Sequence, residues 1–139
     1  MIPAPETKVD IKERSSLALA FLGDGVFELL VRAHIVAAGR ASLLEMNQRA
    51  VSMVSAQGQN LAYQGLLPLL TEQEKEVVRR GRNAKKTTTA KHATAVEYHA
   101  ATALEALFGW LYLENNIERI NELFSHIWQN CAAAESADG

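Results

Sequence analysis

Cysteine is almost absent from this chain of 139 residues: Cys131 is the only one, so no internal disulfide can form. That suits a reducing compartment, and a cytoplasmic location is the expectation. Proline is also scarce, with two of the three in the first five residues and Pro68 alone thereafter, which leaves long stretches open to helix. No run approaches the roughly 18 apolar residues a membrane-spanning helix needs. The opening MIPAPETK lacks the basic-then-apolar order of a signal peptide. There is no Gly-rich phosphate loop, no GxSxG elbow and no HExxH pair, which argues against nucleotide-binding ATPases, serine hydrolases and zinc peptidases. His34, His92, His99 and His126, with the lone thiol, offer no zinc-ligand spacing.

What the chain has in quantity is alanine and leucine, 39 residues together, within a globular balance of 48 % apolar and 22 % charged. The length fits one domain. Helix-start signals recur: Ser42 to Glu45, Thr71 to Glu74 and Thr94 to Glu97 have capping-box spacing, and Asn116 is a fourth candidate N-cap. These signals predict helices over 15–38, 42–53, 55–67, 72–81, 94–115 and 117–131. Gly39 and Gly81 would end the first and fourth. The stretch 82–93 reads as a loop, and the leucines around Pro68 as a buried turn. An all-α bundle is therefore expected at 15–131, between a flexible N-terminal segment, 1–14, and a flexible tail, 132–139. The segments 17–31 and 100–113 are apolar nearly all round, so both should be central. Apolar surface that so small a domain leaves uncovered would meet a second subunit.

The net charge of −2 conceals an uneven distribution. Residues 75–91 hold seven of the fourteen Lys and Arg against one acid, Glu76, so this segment carries +6 and the remainder −8. Arg79, Arg80, Arg82, Lys85, Lys86 and Lys91 alternate with Asn83 and Thr87 to Thr89. Cations mixed with small hydrogen-bonding side chains suit a phosphate backbone. The absence of aromatic residues there favours a duplex over stacked single strands. A solvated charge run is the simpler alternative.

Two carboxylates stand out. Asp24 shares a helical stripe with Leu17, Ala20, Phe21, Phe27 and Val31, and Gly23 and Gly25 flank it. Glu105 shares a face with Ala101, Thr102, Phe108 and Gly109 in the other central segment. A carboxylate on an apolar stripe needs a partner or a cation. Arg32 or Arg14 could pair with Asp24. Alternatively, both carboxylates could converge on Mg²⁺, which keeps several waters and takes one or two protein carboxylates. Mid-helix glycines beside Asp24 point to close approach by another backbone or a ligand. Glu28, one turn on, either joins this site or faces solvent.

Leu19-Ala-Phe-Leu-Gly-Asp24-Gly-Val-Phe-Glu28 resembles the signature helix of the ribonuclease III catalytic domain, usually LEFLGDAVLE. Leu104-Glu105-Ala-Leu-Phe-Gly-Trp-Leu-Tyr-Leu113 is similar to its second motif, DxFEALxGAxYLD, and Met53-Val54-Ser55 echoes the LVS between them. The ordinary enzyme has four carboxylates; at two of those positions this chain has Ala20 and Thr102. It also has no room for the usual double-stranded-RNA-binding domain. With Arg79-Arg-Gly-Arg-Asn-Ala-Lys85, these departures resemble the short Mini-III branch, which trims ribosomal RNA precursors.

The resemblance implies a homodimeric helical bundle of the ribonuclease III endonuclease type, cleaving double-stranded RNA and maturing 23S ribosomal RNA precursors. It implies Asp24 and Glu105 as catalytic, Mg²⁺-holding residues and Phe21 as a dimer contact. Arg79, Arg82, Asn83, Lys85, Lys86, Thr87 and Lys91 would bind RNA, Thr102 would position a water in place of the missing aspartate, and Glu28 would support the site. A large-subunit ribosomal protein on the RNA is an expected partner. Loss of two carboxylates keeps an alternative open, a non-catalytic RNA-binding or scaffolding dimer.

Overall fold

The computed structural model describes residues 2–6, 10, 13–84 and 94–138, with side chains through Cys131. It contains helices α1 (Ser16–Ala37), α2 (Leu43–Val54), α3 (Ala56–Leu66), α4 (Glu72–Asn83), α5 (Ala95–Leu113) and α6 (Ile117–Asp138), with a 3₁₀ turn at Leu67–Leu69. The described residues include no strand, and no helix among them is long and apolar enough to cross a membrane.

Local chemistry sets the boundaries. Thr71 and Thr94 each accept from the N–H three residues on, and Glu74 and Glu97 reach back to the cap N–H groups, completing two capping boxes. Ser42 accepts from the Glu45 N–H and starts α2. Gly39 follows α1 at φ 141°, a conformation that side chains resist. Asn115, at φ 58°, lets its own N–H and that of Asn116 close α5 on Tyr112 and Leu111. The Asn116 side chain then accepts from the Arg119 N–H at the head of α6. Around Pro68 the turn buries Leu66 and Leu70 but leaves Leu69 exposed.

Three expectations change. Gly81 does not end α4, which continues to Asn83 with Gly81 buried inside it. Helix α6 runs through most of the expected loose tail, to Asp138, because Ala132 to Ala134 are strong helix formers. At the other end, the Ile2 carbonyl accepts from the Tyr112 hydroxyl (2.9 Å) and the Ala4 N–H donates to Asn115 Oδ1 (3.2 Å). That part of the expected flexible segment is tied down.

Helix α5 is the central element, with eleven of its nineteen residues buried, and α1, α3 and α4 pack around it. Phe27 of α1 meets Phe108 of α5 and Phe124 of α6 edge-on, at 5.7 and 5.8 Å between ring centres. Helix α1 is less enclosed than its composition suggests, since Leu17, Phe21, Leu29 and Val36 lie exposed along it.

One buried ion pair has no local signal in the sequence. Arg119 of α6 donates twice to Glu74 of α4, both at 2.8 Å, and also to the Leu69 carbonyl and to Glu122. The Glu74 side chain is only 3 % exposed and that of Arg119 16 %. Burial pushes the Glu74 carboxyl up, but hydrogen bonds from Arg119 and Thr71 and the Arg119 charge outweigh it and hold the group below its ordinary value. Its contribution to stability is therefore complete above the unfolded-state value of 4.5 and is lost as pH falls through the lower folded-state value. Denaturant titrations across acidic pH should show this loss in the wild type and not in Glu74→Gln. At neutral pH, Arg119→Met should cost about 3–5 kcal/mol, because it strands a buried carboxylate.

Candidate active site and nucleic-acid interface

The site begins with two glycines. Helices α1 and α5 cross so closely that a Cβ on Gly23 would overlap the Glu105 carbonyl and lie 2.8 Å from the Gly109 nitrogen. A Cβ on Gly109 would overlap the Leu19 carbonyl and lie 3.1 Å from the Gly23 nitrogen. Each mid-helix glycine costs about 1 kcal/mol relative to alanine, a cost the backbone-to-backbone packing offsets. Gly23 thus rests on the residue that carries one candidate carboxylate and immediately precedes the residue that carries the other. Asp24 and Glu105 are brought to a single crossing.

Asp24 is exposed, which corrects the expectation of a carboxylate enclosed by apolar neighbours. Phe21 and Leu17 on its stripe face outward as well, so solvation needs no compensating partner here. Glu105 is half-buried. Arg32 does not serve Asp24; it donates to Glu28 through Nε (3.2 Å) and Nη2 (2.8 Å). Glu28 is thereby held on the outer face of α1. Of the two glycines beside Asp24, Gly23 makes the close approach, while a Cβ on Gly25 would meet nothing within 4 Å. Thr102 is 4 % exposed and its hydroxyl donates to the Tyr98 carbonyl at 3.0 Å. Its hydroxyl proton is committed inside α5 rather than offered to a water at the surface.

Helix α4 packs on the same stretch of α5, since Gly81 lies against Thr102, Ala103 and Ala106, on either side of Glu105 in sequence; beyond it, Arg82 and Asn83 line a cavity with Tyr63, Ala95, His99 and Ala100. Arg79, Arg82 and Asn83 are exposed at the C-terminal end of α4. Arg79 is engaged with Glu76, at 2.9 and 2.6 Å. Those bonds hold the Glu76 carboxyl below and the Arg79 guanidinium above their ordinary values. Lys85, Lys86, Thr87 and Lys91 lie outside the described residues. Gly109 and Gly81 do more than the sequence indicated: each is a seam residue, recognisable only once the opposing helix is known.

Among the described residues, no three His, Cys, Asp or Glu form a group that could hold a metal. Two carboxylates stand on crossing helices, one of them open to water. That set fits Mg²⁺ better than a metal that needs a full protein cage.

The two kinds of residue should separate experimentally. Gly23→Ala forces α1 from α5 and should lower the thermal midpoint by several degrees, with the carboxylate site lost. Asp24→Asn, at an exposed position, should unfold within about 2 °C of the wild type and yet lose divalent-cation binding; melting curves with a Mn²⁺ titration would check both.

The profile of the Ribonuclease III domain matches residues 17–116, which takes in both carboxylates, both seam glycines and α4. The chain is 45 % identical over 107 residues to the Mini-ribonuclease 3 of Brevibacillus brevis, covering 77 % of this chain and 80 % of that protein. It is 44 % identical over 117 residues to the Mini-ribonuclease 3 of Synechocystis, covering 84 % and 80 %. A crystal structure of a Fusobacterium nucleatum protein superposes with a TM-score of 0.78 at 34 % identity, covering 87 % of this chain and 97 % of that one. With its fold, its crossing motifs and these relatives in agreement, the chain belongs to the ribonuclease III family, in the Mini-ribonuclease 3 branch, and is an endoribonuclease.

Proposed function

We propose that this endoribonuclease cleaves double-stranded RNA as a cytoplasmic homodimer, that Asp24 and Glu105 hold Mg²⁺, and that 23S ribosomal RNA precursors are its substrate. The observation that supports the reading is the α1–α5 crossing, where Gly23, next to Asp24, rests on the Glu105 backbone, while α4, with exposed cations, packs on the same helix. A bound divalent cation supplies a more acidic water and neutralises charge on the phosphate.

The chain's own residues do the rest. Arg82 and Asn83 meet the RNA backbone with a charge and an amide, and contribute to position rather than sequence choice. Arg79 joins them by exchanging Glu76 for a phosphate, so its contribution is smaller than its charge suggests. Asp24, being exposed, carries no desolvation cost on folding. A large-subunit ribosomal protein bound to the precursor would add selectivity that so small a basic face cannot.

The dimer reading rests on Phe21, which is 86 % exposed on α1 between Leu17 and Leu29, also exposed. An aromatic ring left so open beside further apolar side chains is better covered by a second copy.

Incubated with a perfect RNA duplex, the protein should cut only when Mg²⁺ is present. EDTA, Asp24→Asn and Glu105→Gln should each abolish cutting while duplex binding survives. Tight binding without any cleavage by the wild type would favour the scaffolding alternative. Binding should weaken steeply with salt, and Arg82→Ala should reduce the slope of log K against log salt by about one unit.

A separate check concerns assembly: Phe21→Glu should sediment as a monomer at concentrations where the wild type sediments as a dimer.

A further inference from the structure

Gly81 occupies an unusual place. It lies inside α4, between Arg80 and Arg82, where a glycine costs about 1 kcal/mol relative to alanine. It is buried, and its backbone is ordinary helix, so conformational freedom does not explain it. Contact does. A Cβ there would lie 3.0 Å from the Ala103 Cα, 3.2 Å from the Ala106 Cβ and 3.4 Å from the Thr102 carbonyl oxygen. None of these atoms can swing aside by rotating a side chain. Any substituent must therefore part the helices by a few tenths of an ångström.

We propose that Gly81 is a positioning residue: its missing side chain sets how closely the cation-bearing end of α4 lies on the turn of α5 that carries Glu105. It thereby aligns bound RNA with the carboxylate pair. This rests on the RNA-cleaving reading above. The lever arm is short and stiff. The head of α4 is fixed by its capping box and by the buried Glu74–Arg119 pair, and Val78 is buried one turn before the seam. Displacement at Gly81 is therefore expressed at the C-terminal end of α4, where Arg82 and Asn83 are exposed. On the α5 side, Thr102 is buried and bonded to the Tyr98 carbonyl, so that turn does not yield. The residue where relatives of the ordinary type carry an aspartate thus serves here as part of the seat for α4.

A seam that aligns, rather than binds, has a distinct kinetic signature. The cations that hold RNA are all retained in a Gly81 variant, and so are both carboxylates. What changes is the placement of the scissile phosphate, and misplacement by a fraction of an ångström lowers turnover rather than affinity.

In duplex cleavage with Mg²⁺, Gly81→Ala should lower kcat about tenfold, with KM and the Mn²⁺ affinity each within twofold of the wild type. Gly81→Val should lower kcat further. Ala106→Gly added to Gly81→Ala should restore part of it, by removing one of the opposing atoms. Gly65→Ala is the control: it makes the same exchange in α3, where a Cβ meets only the Asn130 side-chain nitrogen at 3.3 Å, and should leave kcat unchanged. If Gly81→Ala loses cooperative unfolding, Ala106→Ser crowds the same seam from the α5 side and carries the same expectation. The proposal is overturned if kcat is unaffected, or if KM or Mn²⁺ affinity worsens in step with it. A wild type that binds duplex without cutting it would instead strike at the functional reading.

Discussion

Everything distinctive about this molecule depends on two helices touching backbone to backbone. At the Gly23–Gly109 crossing no side chain separates α1 from α5, so the position of each helix fixes the other. Asp24 sits at the rim of the contact, hydrated, and Glu105 beneath it, half-buried. Carboxylates carried at the rim of a main-chain contact avoid the penalty that fully buried ones would incur in an apolar interior. The core beside them, where Phe27, Phe108 and Phe124 interlock, stays apolar.

Much of the fold was legible because it is local. Caps at Ser42, Thr71, Thr94 and Asn116 and the turn at Gly39 are written within four residues of where they act, and the helices follow them closely. The candidate site is legible through its motif order rather than through its physics. Of the two physical reasons for singling out Asp24, a close approach at its flanking glycines holds at Gly23 alone, and enclosure by apolar residues does not hold. Its stripe in fact faces out, because apolar periodicity cannot distinguish a face turned to the chain's own core from one left for another molecule. The Glu74–Arg119 pair was not legible at all: the partners stand 45 residues apart and Glu74 already had a local role as a capping residue. Gly81 was misread as a helix terminator because the same residue type serves both ends and seams.

The uneven charge of the sequence takes on a finer grain in three dimensions. Helix α4 is acidic where it begins, with Glu72 and Glu74, and basic where it ends, with Arg80 and Arg82. Both placements favour the helix dipole. Folding stability and a concentration of positive charge at one tip thus draw on the same arrangement. Glu76 moderates that tip by holding Arg79. Such internal competition lowers the net charge offered at that tip and makes an electrostatic grip less adhesive to stray polyanions.

The hydrogen bonds that tie Ile2 and Ala4 to Tyr112 and Asn115 span some 110 residues of chain. Closing so long a loop costs on the order of 4 kcal/mol, whereas two exposed neutral hydrogen bonds return only about 1 kcal/mol each. This contact cannot help to initiate folding. It forms after the end of α5 has been built, and it opens without disturbing what lies beneath. Ile2 and Ala4 thus depend on the end of α5, which closes on its own hydrogen bonds and does not depend on them.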